Sequence, residues 1–490
     1  MKESQSHVEI LASEQFRGRE TGKPGQWLAA KYIATEFANY GLQPSGSDHS
    51  FYQNFSIRRC DLKQAALSIE TEARFPLDQI AFSLETDFIP FHFTGEDDVT
   101  APVVFVGYGI SAPEYGYDDY KDVNVRDKVV LILRHEPQEN DPNSVFDGVR
   151  PTKHAFFETK VKNAGKHGAV GVLVVTDPLG GHSELGPQGD WPSLHKGVLS
   201  PNRWQFVPDA EKPCLPALWI STEVADTILR QAGPDLAERQ RQIDRTLTPL
   251  SAAINGVATH IEVVLDKEIR KTQNVLGLLE GSGPDLHQEL VVIGAHYDHI
   301  GVKNGLIHSG ADDNASGTAG MLEIAEAFSE LPLKPRRSIL FVAFTAEELG
   351  LLGSQYYVEH PLVPLERTVT MINLDMISRN DANAVTVVGS NRSPELHEIN
   401  LSANAEIGLE FRYDGERYFN RSDQANFARH HIPVIFYNTN VHPDYHRPSD
   451  VAEKINPEKL ARIARLAFLV AWKVANLEPA PTYHPLKITH

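Results

Sequence analysis

Apolar positions along the chain fall into three successive textures. Near the start, QWLAAKYIATEFANYGL (26–42) sets Leu28, Tyr32, Ile33, Phe37 and Tyr40 at helical spacing, with Gly41 as the stop. Residues 51–92 are strand-rich but irregular. From Ala101 the runs become short and β-branched: PVVFVGYGI (102–110), KVVLILR (128–134) and GAVGVLVVTD (168–177). Polar Gly/Pro-rich stretches such as DPLGGHSELGPQGDWPSLHKG (177–197) separate them, and TKVKNAGKHG (159–168) predicts one helix feeding the last run. That texture predicts a small β-rich domain.

A third texture begins near Glu262. NVLGLLEG (274–281), ELVVIGAHYDH (289–299), SILFVAFTAEE (338–348), TMINLDMI (370–377), AVTVVGS (384–390) and HIPVIFY (431–437) read as strands. Helical patterns at 316–329, 394–406 and 457–476 lie between and after them; in the first, Met321, Ile324, Ala325 and Phe328 share a face. These strands mostly do not alternate polar with apolar, so both faces are expected to be covered, as in an α/β fold. The β-rich stretch then reads as an insertion. The predicted division is 1–95 as the first part of the larger domain, 96–260 as the insert, and 261–490 as the rest.

Bulk properties narrow the class. A chain of 490 residues suggests two domains, and 41% hydrophobic with 23% charged residues describes a globular protein. A net charge of −19 without a Lys/Arg stripe argues against nucleic acid as a partner. The longest apolar run, LAFLVAW (466–472), is too short for stable membrane insertion. MKESQSHVEI contains no apolar signal-peptide core. Cys60 and Cys214 lack metal-site spacing; they form either one disulfide or two inert thiols.

Candidate chemistry gathers after residue 290, mostly where apolar runs end. In GAHYDHIG (294–301), His296 and Asp298 share a strand face, so Asp298 can accept the second ring N–H of a ligating His296. His299 competes as a ligand but faces the other way if the strand continues. In SGADDNASG (309–317), Asp312 or Asp313 either caps the following helix or bridges two cations. Glu347 and Glu348 are costly to desolvate side by side. Their bland alternative is a helix start capped by Thr345, with Glu348 in the capping box. Asp375 sits inside the apolar MINLDMI and needs a partner, with Asn373 nearby. VHPDYHRPSD (441–450) adds His442, Asp444, Tyr445 and His446. Together these residues offer enough His and carboxylate ligands for two metals without cysteine.

Those motifs resemble the M28 zinc aminopeptidases. The resemblance implies a mixed central sheet flanked by helices, with an inserted β-rich protease-associated domain. FRGRETG (16–22) is similar to the family's N-terminal segment. By this resemblance His296, Asp313, Glu348, Asp375 and His446 hold two Zn²⁺ per chain, with Asp313 bridging and Asp298 behind His296. Glu347 becomes the general base and Tyr445 the donor to the transition state. The implied activity is metal-dependent removal of N-terminal residues from peptides with a free N-terminus. A carboxypeptidase or dipeptidase on the same fold is the alternative, with Arg412, Arg417 and Arg421 as candidate carboxylate binders. A non-catalytic binding or receptor module is the alternative from another class. The family setting is periplasmic or secreted; the missing signal core leaves the cytoplasm open. Oligomeric state and side-chain preference are not legible.

Overall fold

The computed structural model of the chain describes residues 2–71, 78–91, 93–148, 151–180, 206–208, 215–230 and 232–484. It divides into two compact units, Met1–Ile57 with Ile269–His490, and Arg58–Glu268. The predicted boundaries were 95/96 and 260/261. Residues 58–95 group with the insert because Asp78–Phe82 pairs with Tyr52–Thr71, and Phe88–Pro90 pairs with Ala217–Ile220.

In the first unit the main path of the sheet is built from β1 (Ala252–Leu279, of which 269–279 lie here), β2 (Leu290–His296), β3 (Ser338–Phe344), β4 (Thr368–Leu374), β5 (Ala384–Val388), β6 (Glu410–Arg412) and β7 (Val434–Asn438). Their order is β6-β5-β7-β4-β2-β3-β1. Strands β3, β2, β4 and β7 are mutually parallel, whereas β1 runs antiparallel to β3 and β5 antiparallel to β7. The sheet is mixed, as the family resemblance implies.

Continuous apolar runs become doubly buried strands here. All of β2 and β3 is buried. Val291 and Ile293 pack with helices α1 (Lys2–Leu11), α2 (Pro24–Asn39), α3 (Gly317–Ser329) and α7 (Pro457–Asn476). Val292 packs on the opposite face with Tyr357 of α4 (Leu352–Glu359) and Phe427 of α6 (Gln424–Arg429). The predicted face of α3 is buried in full. That of α2 is rotated: Leu28 is 39% exposed, while Ala29 and Ala30 join Ile33 and Phe37 in the core. Helix α5 (Pro394–Asn404) buries Leu396 and Ala403.

The second unit carries Asp97–Phe105, Val129–Leu133, Gly171–Val175 and Ala217–Ile220 as successive parallel neighbours. Its helix Phe157–Lys166 matches the predicted one. Thr222–Leu229 and Leu236–Thr246 are further helices, each N-capped, by Ser221 and Asp235. Both are short and amphipathic, burying Val224, Ala225, Ile228 and Leu229 in the first and Leu236 and Ile243 in the second. Of the expected loop 177–197, residues after Gly180 lie outside the described residues, as does any pairing of Cys60 with Cys214.

Candidate dinuclear metal site

Parallel strands end together, and their C-terminal ends form the floor of the site. His296 is the last residue of β2, Glu347 and Glu348 follow β3, Asp375 follows β4, and the segment 441–450 follows β7. Left-handed backbone at Ala346 (φ 55°), Met376 (φ 59°) and His446 (φ 58°) turns the chain beside or at these side chains. Non-glycine residues held in that region are strained, and such strain clusters at functional sites.

Asp313 lies at the centre. Its Oδ1 is 3.4 Å from His296 Nε2, which is also 3.4 Å from Asp375 Oδ1. Its Oδ2 is 3.1 Å from His446 Nε2, which is 3.1 Å from Glu348 Oε2. Glu347 Oε2 stands 3.9 Å from His296 Nε2. Tyr445 stacks on the His446 ring, with centroids 3.8 Å apart.

Neighbouring elements hold these groups. Asn314 donates to the carbonyls of His296 and Leu374, tying β2 to β4, and accepts from Gly317 and Met376 N–H. Thr318 donates to the same His296 carbonyl. Neither Asp312 nor Asp313 caps α3: Asp312 accepts from Ser378, and the N-cap residue Ser316 turns its hydroxyl to the Asp312 carbonyl and Ile377 N–H rather than to the helix. The capping-box alternative for Glu348 also fails. Residues 345–351 form a turn, α4 starts only at Leu352, and Thr345 Oγ1 pairs with Thr272 Oγ1.

Two expectations are corrected. The carboxylate of Asp298 is 3.7 Å from His296 Nδ1, too far for the expected hydrogen bond, and the ring nitrogen instead donates to the Asp298 carbonyl at 3.2 Å. A carbonyl only accepts, so this contact keeps the proton on Nδ1 and leaves Nε2 facing the carboxylates. The Asp298 carboxylate accepts from Thr21 Oγ1 and from Glu347 N–H, so it supports the site through Glu347. His299 does not face away. The strand ends at His296, alternation lapses, and His299 Nδ1 lies 2.6 Å from Glu348 Oε1. Its ring rests against Gly310, where a Cβ would come within 2.5 Å.

Electrostatics follow from burial. Burial pushes Glu347 well above the usual carboxyl range; His296 opposes this, while Asp375 and Glu348 add to it. Burial also acts on Glu348 and Asp313, but contacts with the histidines hold both low, Glu348 at about 2. Burial works against a charged His446, yet Asp313 and Glu348 raise it to about 10. Burial and the surrounding carboxylates hold the Tyr445 phenol protonated well beyond its ordinary range.

Residues 274–471 match peptidase family M28, and residues 99–228 match the PA domain. The chain carries a family M28 peptidase domain. It is 30% identical over 308 residues to the rat aminopeptidase NAALADL1, covering 54% of this chain and 40% of that protein. It is 30% identical over 223 residues to the Bacillus subtilis aminopeptidase YwaD, covering 43% and 46%. It is also 27% identical over 376 residues to the chicken transferrin receptor protein 1, covering 73% and 43%. The chain thus spans less than half the length of each of these relatives.

The donor set of the M28 domain suits divalent cations. His296, Asp313 and Asp375 form one group able to hold an ion, and His299, Asp313 and Glu348 form another. Glu348 Oε1 and both ring nitrogens of His299 are buried without hydrogen-bond geometry despite their close approach, and Asp375 Oδ1 is likewise unpartnered. Buried donors left so are the signature of ligands that converge on a shared ion. Among the described residues no helix of either unit is long and apolar enough to cross a membrane.

Sequence reasoning passed over Arg19 and Thr21, although FRGRETG was noted. Arg19 is fully buried and donates to the carbonyls of Leu11, Tyr297, Ser309 and Gly310. The Gly/Arg-rich composition was the available signal; the partners Tyr297, Ser309 and Gly310, more than 270 residues distant, were not.

Proposed function

We propose that the chain is a dinuclear zinc aminopeptidase that removes N-terminal residues from peptides. One observation carries the reading: Asp313 divides its oxygens between His296 with Asp375 and His446 with Glu348, with Glu347 alongside. When bound, two divalent cations would supply Lewis acidity toward the scissile carbonyl, lower the pKa of water and draw the Glu347 carboxyl down toward its ordinary range.

The chain's own residues do the rest. Asp313 would be shared between the two cations; His296 and Asp375 would complete one position, Glu348 and His446 the other, with His299 beside Glu348. Glu347 takes the proton of the attacking water and returns it to the leaving amine. Its backbone is fixed by the Asp298 carboxylate, which supports a defined direction for that transfer. Tyr445, kept protonated, donates to the oxyanion. Zinc suits a borderline site of imidazole and carboxylate ligands, and cobalt or manganese would also fit it.

An α-ammonium is the complementary substrate end for a pocket dense in buried carboxylates. A carboxypeptidase would need a free cation. Arg412 is instead engaged by Asp381 at 2.6 Å and Glu410 at 3.2 Å, whereas Arg417 and Arg421 are exposed beside the Tyr418 ring and keep their charge, so the substrate comparison below separates the two readings. Fold alone does not separate peptidase from receptor; the retained bases and ligands favour catalysis. A periplasmic or secreted setting is part of the same proposal, tested by fractionation of the source cells.

The deciding experiment compares Leu-p-nitroanilide, its N-acetylated form and a peptide with a free C-terminus, using zinc-reconstituted protein. Cleavage confined to substrates with a free N-terminus supports the aminopeptidase. Preference for blocked substrates with a free carboxylate overturns it.

A further inference from the structure

A second histidine–aspartate contact lies directly behind the bridging carboxylate. Asp312 Oδ1 accepts from Ser378 N–H at 2.9 Å and from Ser378 Oγ at 2.6 Å, while its Oδ2 faces His442 Nε2 at 3.3 Å. His442 Nδ1 accepts the N–H of Asp444, so the ring proton sits on Nε2, the nitrogen nearest Asp312. Both side chains are buried, and neither facing atom has any hydrogen-bond partner: the 3.3 Å approach brings together two unsatisfied polar groups without full hydrogen-bond geometry. Four residues beyond His442 comes His446, and one beyond Asp312 comes Asp313.

The same two segments are joined at their other end. The Asp450 carboxylate accepts the N–H groups of Asp312 and Asp313, and Ala311 N–H donates to the Asp450 carbonyl. Between these fastenings Tyr445 and His446 have few other anchors, and the His446 side chain is 36% exposed. Asp444 is held by Arg379 and Lys454 on the outer side of the turn.

We propose that His442 is a positioning residue which, through Asp312, fixes His446 and Tyr445 against Asp313. It leaves the His296–Asp375 side of the bridge untouched. This rests on the dinuclear reading above, and it predicts an asymmetric defect: one of two cation positions weakens while the other keeps its affinity.

The test titrates zinc into metal-stripped wild type, His442→Phe, His442→Gln and Asp312→Asn, reading stoichiometry and affinity by calorimetry alongside kcat and KM. His442→Phe keeps the ring's bulk without its donor, and is expected to weaken one zinc about 10- to 100-fold. The second zinc should bind as in wild type, and kcat should fall with little change in KM. A glutamine amide reproduces the Nε2 donor, so His442→Gln should restore the weaker site to within about threefold. Asp312→Asn opposes N–H to N–H and should reproduce the one-site loss. Combined with His442→Gln, whose amide can turn its oxygen inward, it should recover. Equal loss of both sites, no loss in either single variant, or no advantage of Gln over Phe would each overturn the inference. A wild type that takes up no zinc overturns the reading beneath it, and is distinguishable because no variant is then needed.

Discussion

Arg19 Nε donates to the carbonyl of Tyr297 at 2.8 Å, joining residues 278 apart in sequence one position beyond the end of β2. The same guanidinium reaches Ser309 and Gly310, just before the bridging Asp313. Burial lowers it to about 10, partly offset by Asp313 and Asp298, so it remains charged at neutral pH. It is a fixed cation behind a cluster of carboxylates. Arg19→Met would strand buried carbonyls and is expected to cost about 3 kcal/mol or more in urea unfolding. Arg19→Lys should fall between, because one ammonium cannot span the fork. A wild-type midpoint for the methionine variant would show that those carbonyls find other donors.

Glu347→Gln should keep both metals while turnover drops roughly 100- to 10,000-fold, since only the proton acceptor is removed. Elemental analysis with Leu-p-nitroanilide kinetics separates the outcomes. Loss of metal along with activity would make Glu347 a ligand rather than the base.

Asp313→Ala removes both oxygens of the bridge and should abolish high-affinity binding at both positions. Asp375→Ala should spare the Glu348 side. Zinc stoichiometry by calorimetry tests the difference; equal losses in the two variants would mean that the positions are not separable.

The metal-free protein should have an acid stability optimum. Burial raises Asp298 to about 6, Asp423 to about 7 and Asp450 to about 6. The folded state therefore holds protons that the unfolded chain has lost from about pH 4 upward, and stability falls as pH rises through that window. His446, raised to about 10 by Asp313 and Glu348 against its burial, extends the fall from about pH 6.5 toward 10. Glu348, held at about 2, acts oppositely and only below about pH 4.5. Thermal unfolding of stripped protein should give a lower Tm at pH 8 than at pH 5, with zinc reducing the difference. A Tm that climbs between those values would contradict this.

Much of this was legible because chemistry sits where apolar runs stop. Non-alternating strands announced a doubly covered sheet, and most polar clusters marked a strand's C-terminal end. What could not be read was direction after the strand ended. His299 faces outward by alternation only if the strand continues, and the strand stops at His296. Asp298 was paired with the ring of His296, whereas its actual donors are Thr21 and the peptide of Glu347. Thr345 fits a helix cap by spacing, but Ala346 enters the left-handed region and delays the helix to Leu352. Such outcomes depend on partners 49 to 277 residues away.

The division of the chain has a consequence for its birth. Arg58–Glu268 has all its own residues as soon as position 268 leaves the ribosome, and it can fold while synthesis continues. The peptidase unit must wait: Arg19 and Thr21 emerge early, yet the carbonyls and carboxylate they serve are made nearly 280 residues later, and His446 later still. Until then the first helices expose the apolar faces that α3 and α7 will cover. Demand for chaperones should therefore concentrate on the N-terminal 57 residues, and metal uptake should be among the last events of maturation.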